Sequence, residues 1–331
     1  MNKESKYNEI SPEELIDSAS GSATDSLRND STGIAYGKGA RLIFLSLRSE
    51  LYNDESDREK AQDLFMEIID KLADNNHQTD RLFLTGDTGA VRAITLLTEI
   101  GLIERDTNID RILRTHLNKK NFINTLPSIP VPDQDIYGEA LAYLSLFRKD
   151  EESPERYALQ EYLISMTDNC LRLLTDPVFP IYSPDEMRTS LRHSILHFAS
   201  GIRDNGIFPY KAERIISIIK DYAGNISNET GYLDIHQAIL LHLIGNHDAI
   251  ARHIRHASER TIISDLAHLA LFSMIYYRPD LLADGLAATD REILGRGLRE
   301  ATASSKTGML TSIASGIMYG KILQTHSPVK V

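Results

Sequence analysis

Leu310-Thr311-Ser312-Ile313-Ala314-Ser315-Gly316-Ile317-Met318-Tyr319-Gly320-Lys321-Ile322-Leu323 is small and apolar almost throughout. Ala314, Ser315, Gly316 and Gly320 stand where larger side chains would crowd a neighbour. Such a stretch lets one helix approach another closely, or lets its end face a cavity. The same texture occurs at Ile34-Ala35-Tyr36-Gly37-Lys38-Gly39-Ala40-Arg41-Leu42 and at Leu84-Thr85-Gly86-Asp87-Thr88-Gly89-Ala90-Val91-Arg92. Recurrence at wide intervals marks an internal repeat.

Helical periodicity runs through most of the chain, and alternating strand patterns are scarce. Ser11-Pro12-Glu13-Glu14 opens a short helix, with Ser11 as N-cap and Pro12 at the first helical position. A flexible polar loop follows at about 20–32. Residues 57–73 place Ala61, Leu64, Phe65, Ile68, Ile69 and Leu72 on one face, as do 106–117 with Ile109, Ile112, Leu113 and His116. Residues 86–100, 136–147, 233–244, 264–276 and 307–323 are apolar nearly all round. Further helices are expected at 154–174, 190–200, 210–222, 248–257 and 290–303. A helix apolar on every side must be buried, whereas a one-striped helix sits outside with its stripe inward. About seven such pairs predict an all-α fold, an α/α toroid with two concentric rings of about seven helices each. An open solenoid is the rival architecture.

The bulk composition sets the class. The 331 residues are 42% hydrophobic and 25% charged, which suits a globular chain with a large core. One domain spanning 1–331 accommodates a closed repeat of this size. The net charge of −11, without a basic cluster, argues against nucleic acid and anionic membrane as partners. The sole cysteine, Cys170, allows no intramolecular disulfide. Met1-Asn2-Lys3-Glu4-Ser5-Lys6 leads into polar sequence with no apolar signal region. No apolar run approaches the roughly 20 residues that span a bilayer. The expectation is a soluble, cytoplasmic protein.

The repeat text resembles the lanthionine synthetase cyclase (LanC-like) family. The resemblance rests on Gly37-Lys38-Gly39-Ala40, Gly86-Asp87-Thr88-Gly89, Tyr137-Gly138-Glu139-Ala140 and Ile313-Ala314-Ser315-Gly316-Ile317 at inner-helix starts. It implies an α/α toroid with seven inner helices. Active members of that family hold a catalytic zinc through two Cys and a His. The place of the first Cys matches Gly231 in Thr230-Gly231-Tyr232-Leu233-Asp234, and the Cys-His pair matches Ile263-Ser264. A further His-Gly text, implicated in proton transfer, matches His193-Ser194. Gly and Ile supply no ligand atom and Ser is a poor one, so the resemblance implies a degenerate member with no metal, no cofactor and no zinc-dependent cyclase activity.

Several side chains are candidates for chemistry, each with a plainer reading. His193 and Asp234 are the candidate catalytic pair; Arg41, Asp87, Arg92, Tyr137, Tyr232, His236 and His268 are the candidate substrate-binding residues. His193, Asp234, His236, Asp265 and His268 fall near inner-helix starts, where a replacement metal site is conceivable; core or surface histidines are the plainer account. His253 and His256 read as solvated-face residues. Asp87, Asp234 and Asp265 could converge for acid–base work, or cap helix N-termini. Arg41, Arg92 and Arg192 on apolar helices suit carboxylate recognition, or an internal ion pair. The reading adopted is a LanC-like protein that binds or presents a precursor peptide during maturation of a ribosomally made peptide, with a modification enzyme as a further partner. An α/α-barrel glycoside hydrolase or lyase and a structural scaffold are the alternatives.

Overall fold

The structure is a computed structural model. It describes residue 16 and residues 31–35, 37–74, 83–104, 106–118, 134–147, 152–175, 185–227, 232–303 and 307–325. The expected helix after Ser11 (apart from Ile16, which is buried), the polar loop up to residue 30 and the Pro127–Pro132 segment lie outside the described residues.

Among the described residues the chain forms fourteen α-helices and no strand, apart from one isolated bridge between Thr32 and Gly37. They are α1 (Lys38–Tyr52), α2 (Glu55–Ala73), α3 (Asp87–Glu99), α4 (Thr107–Asn118), α5 (Gln134–Leu146), α6 (Pro154–Thr175) and α7 (Asp185–Asp204). Then come α8 (Pro209–Ser227), α9 (Ile235–Leu243), α10 (Asp248–Ile254), α11 (Ile262–Ile275), α12 (Asp280–Ala288), α13 (Arg291–Ala303) and α14 (Thr307–Thr325). The chain is all-α.

Two kinds of helix alternate. In α2 a single stripe of Ala61, Leu64, Ile68, Ile69 and Leu72 is buried. Its start is fixed by Asp54, whose side chain accepts a hydrogen bond from the Asp57 amide at 3.2 Å. By contrast α3 buries every residue from Asp87 to Leu97, and α11 leaves only Ser264 and His268 partly open. Leu310, Ile313, Ala314, Met318 and Tyr319 of α14 are likewise buried.

The neighbours follow a regular order. Helix α1 packs on α3, α3 on α5, α5 on α7, α7 on α9, α9 on α11, α11 on α14, and α14 on α1 again. The remaining helices lie against this series: α2 on α1, α4 on α2 and α5, α6 on α5 and α8, α8 on α7 and α9. Likewise α10 rests on α9 and α12, and both α12 and α13 rest on α11 and α14.

Glycine permits the closest approaches. A Cβ on Gly316 would stand 2.8 Å from the Ala270 Cβ, so α14 meets α11 almost backbone to backbone. A Cβ on Gly89 would lie 1.9 Å from the Phe83 carbonyl oxygen and 2.6 Å from the Ile34 amide. The segments leading into α1 and α3 are sewn together there: the Gly33 amide donates to the Thr85 carbonyl at 2.9 Å, and the Ala35 amide to the Leu84 carbonyl at 3.0 Å. The glycine-rich text at these helix starts therefore has a packing cause.

One helix was not expected from the sequence. Helix α12 lies between the helices expected at 264–276 and 290–303. It has nine residues, and its buried side consists of Leu281, Leu282 and Gly285. Helix α7 also begins at Asp185, one turn or more ahead of the expected 190.

Candidate binding pocket

Three histidines from separate helices meet in the interior: His193 of α7, His236 of α9 and His268 of α11. Each of these helices belongs to the series that packs from α1 through α3, α5, α7, α9 and α11 to α14. The His193 Nε2 lies 3.1 Å from the His236 Nδ1, one ring donating and the other accepting. The rings of His236 and His268 meet edge to face with centroids 5.7 Å apart. On its far side, the His193 Nδ1 hydrogen-bonds the Tyr276 hydroxyl at 2.7 Å, and that hydroxyl also bonds the Ser194 Oγ at 2.9 Å. Phe272 closes the apolar wall, edge-on to His193 at 4.7 Å. The result is a continuous hydrogen-bonded chain, Ser194–Tyr276–His193–His236, at the end of which His236 borders a small cavity.

That cavity measures about 80 Å³ and is lined by Ala35, Leu84, His236, Ser264, His268 and Phe272, among others. Ligand pockets for small molecules run roughly 300–1,000 Å³. This one has room for a single side chain or a few waters. The His268 Nδ1–H donates to the Ser264 carbonyl at 2.8 Å, which leaves Nε2 of its neutral form as an acceptor.

Burial sets the protonation of His193 and His236. Burial pushes His193 well below its ordinary value, and His236, His268 and His197 add to the shift. Burial, then His268, brings His236 down to about 4, with Asp265 opposing. One turn further along α7, His197 is brought down to about 3, first by burial and then by Arg92 and Arg278. Burial also raises the Tyr276 hydroxyl well above its usual range. Neutral imidazoles each offer one donor and one acceptor, a set suited to amides and hydroxyls.

The other candidates are placed elsewhere. Asp234 caps α9: its side chain accepts from the Gln237 amide at 2.8 Å, and the Gln237 side chain accepts from the Asp234 amide at 3.1 Å. Asp87 is fully buried, accepts from the Thr32 hydroxyl at 2.7 Å and lies 3.4 Å from the His116 Nε2. It ties the segment before α1 to α3 and α4. Asp265 pairs with His253 at 3.2 Å. The three carboxylates do not meet; each has its own structural partner. Tyr232 is exposed, with its ring 5.7 Å from that of His253. Arg41 sits half-buried on α1, where its amide donates to the Gly37 carbonyl at 3.1 Å. The side chain of Tyr137 lies outside the described residues.

Arg92 is buried and answered from several sides. It donates to the Ile275 carbonyl at 2.8 Å, lies 3.5 Å from Glu99 and stacks over the Tyr277 ring at 4.5 Å. Ile275 is the last residue of α11, so the guanidinium meets the negative end of that helix. Tyr277 takes a left-handed backbone, φ 54, in presenting its ring. Arg192 is half-buried, with its guanidinium 3.8 Å over the Tyr222 ring.

His253 corrects the sequence reading. It is buried, not solvated, because its Nδ1–H donates to the Leu233 carbonyl at 2.8 Å while Asp265 faces its other nitrogen. Its pKa is raised: burial works against the charged form, and Asp265 with the Leu233 carbonyl outweighs it. Tyr276, which is not among the candidate residues read from the sequence, links His193 to Ser194 through its hydroxyl.

At the places where the family's zinc ligands would stand, Ile263 is buried and apolar, Ser264 lines the cavity through a residue without nitrogen or sulfur ligand chemistry, and Gly231 lies outside the described residues. Among the described residues, His193, His236 and His268 do not bring three ligand atoms within chelating reach of one another. These residues do not fit a thiolate zinc centre.

Comparison with protein-family models, with curated proteins and with solved structures finds no match to this chain.

Proposed function

We propose that the chain is a single-domain α/α toroid of LanC-like type that binds a peptide without cyclising it, and presents it to a modification enzyme. Support for the ring comes from the neighbour order, which returns from α14 to α1 with the striped helices lying against the series. The observation that carries the functional reading is the pocket where His193, His236 and His268 meet, which among the described residues is lined by no carboxylate pair of the kind a glycosidase would need. A pocket of this size takes one side chain of the peptide and leaves the rest of it outside. His236 and His268 offer hydrogen bonds to a polar, uncharged group, and Phe272 and Leu271 supply apolar contact. With Ile263 in place of a thiolate and Ser264 in place of the His ligand, these positions offer no soft-ligand set to hold a zinc that would activate a peptide thiol.

A displayed library of random peptides, panned on the purified protein and on a His268→Ala variant, tests this. The expected result is a consensus motif enriched on the wild type and lost on the variant. A dehydrated, cysteine-containing peptide incubated with the protein and zinc should gain no thioether. Absence of enrichment, equal enrichment on both proteins, or thioether formation would each overturn the reading.

A further inference from the structure

A second group of histidines lies at the opposite end of α9 from His236. His242 is in the last turn of that helix, His247 follows in the turn before α10, and Asp280 opens α12. One potential ligand atom from each lies within 4.8 Å of the others. The rings of His242 and His247 meet edge to face, 5.0 Å apart. Asp284 stands one turn beyond Asp280 on α12, hence on the same face, with Oδ2 3.6 Å from the His242 Nδ1.

The hydrogen bonds around His242 are incomplete. Its Nε2 is 2.7 Å from the Asp280 Oδ2, so Nε2–H donates to that carboxylate. On the other side of the ring, Nδ1 faces the Asp284 carboxylate, is buried and has no hydrogen-bond partner. A divalent ion would satisfy both ends of the ring. With the ion on Nε2, the ring proton moves to Nδ1 and donates to Asp284. That is the carboxylate–histidine–metal arrangement by which ligating imidazoles are commonly oriented.

We propose that His242, His247 and Asp280 form a site for zinc or a similar divalent transition metal, with Asp284 orienting His242. Two imidazoles and a carboxylate suit that class of ion better than calcium or magnesium, which prefer all-oxygen shells. Arg278 donates to both oxygens of Asp280, at 2.9 and 2.6 Å, and holds the carboxylate in place while it faces the histidines. The ion would join the turn after α9 to the start of α12. Its place is distinct from the central pocket, and the proposal does not depend on peptide binding.

The test is calorimetric titration of chelator-stripped full-length protein with zinc chloride, beside His247→Ala and Asp284→Asn. His247 is exposed, so its variant keeps the fold, which circular dichroism verifies. The expected result is one zinc per chain, weakened at least 10-fold in His247→Ala and about 10–100-fold in Asp284→Asn. Zinc should also raise the Tm of the wild type and leave that of His247→Ala unmoved. No stoichiometric binding would overturn the proposal. So would equal affinity in His247→Ala, or loss of zinc in His268→Ala with retention in His247→Ala, which would place the ion at the central histidines.

Discussion

Tyr276 holds the central pocket together through one oxygen. Its hydroxyl serves the His193 Nδ1 and the Ser194 Oγ, and all three side chains are buried. Tyr276→Phe keeps the ring and strands two polar groups. It should destabilise the protein by about 1–3 kcal/mol in a urea titration; an unchanged midpoint would show that water serves these groups instead. The histidines themselves predict acid sensitivity. An unfolded histidine titrates near 6.5, whereas His236 is held at about 4 and His197 at about 3 in the fold. Between those values the unfolded chain binds more protons, so stability falls with acidification. Each group removes roughly 1–3 kcal/mol between pH 6.5 and about 4.5. Burial sets these values first, and His268 and Asp265 beside His236, and Arg92 and Arg278 beside His197, adjust them. His253, raised instead, contributes fully below 6.5 and loses its contribution as pH rises through its folded value, so it does not offset the acid loss. Denaturant midpoints measured across that window check the sign, and a flat profile would contradict it. Residue identities alone placed His193, His236 and His268 near helix starts. Their meeting depends on three helices far apart in the chain, and spacing along the sequence does not encode it. His253 was misread because its neighbours Arg252 and Arg255 are charged, while its own partners lie on other segments.

Helices here are set by small residues as much as by large ones. Gly89 has the Phe83 and Ile34 backbones against the position of a Cβ, and backbone cannot swing aside. Gly89→Ala should cost about 1–3 kcal/mol, or more if the two segments part. Gly224, inside α8 and exposed, has nothing within 4 Å of a built Cβ. Gly224→Ala should therefore stabilise the protein by about 0.5–1 kcal/mol through helix propensity alone. Thermal melts of the two variants should move in opposite directions; two shifts of the same sign would contradict the close approach. The elements most legible in the sequence were those with strong patterns: the stripe of α2 and the all-round apolar text of α3, α11 and α14. Helix α12 escaped notice because nine residues give only about two and a half turns, and its Gly285 weakens the pattern.

At the scale of the molecule, alternation between buried and striped helices foretold an all-α fold, but not which helix lies beside which. Both a ring and an open array satisfy the same alternation. They differ at the ends. In an open array the terminal repeats have a neighbour on one side and open first. In a ring, α1 and α14 cover each other, and these two helices pack together. The histidine pocket draws its lining from the same region, with Ala35 and Leu84 from the segments before α1 and α3, and Met309 and Ser312 from α14. The most direct measurement is native-state hydrogen exchange followed helix by helix. A ring predicts that the buried amides of α1 and α14 exchange as slowly as those of α7, all through one global opening. Protection that falls progressively from α7 toward α1 and toward α14 would contradict it, and with it the enclosed pocket.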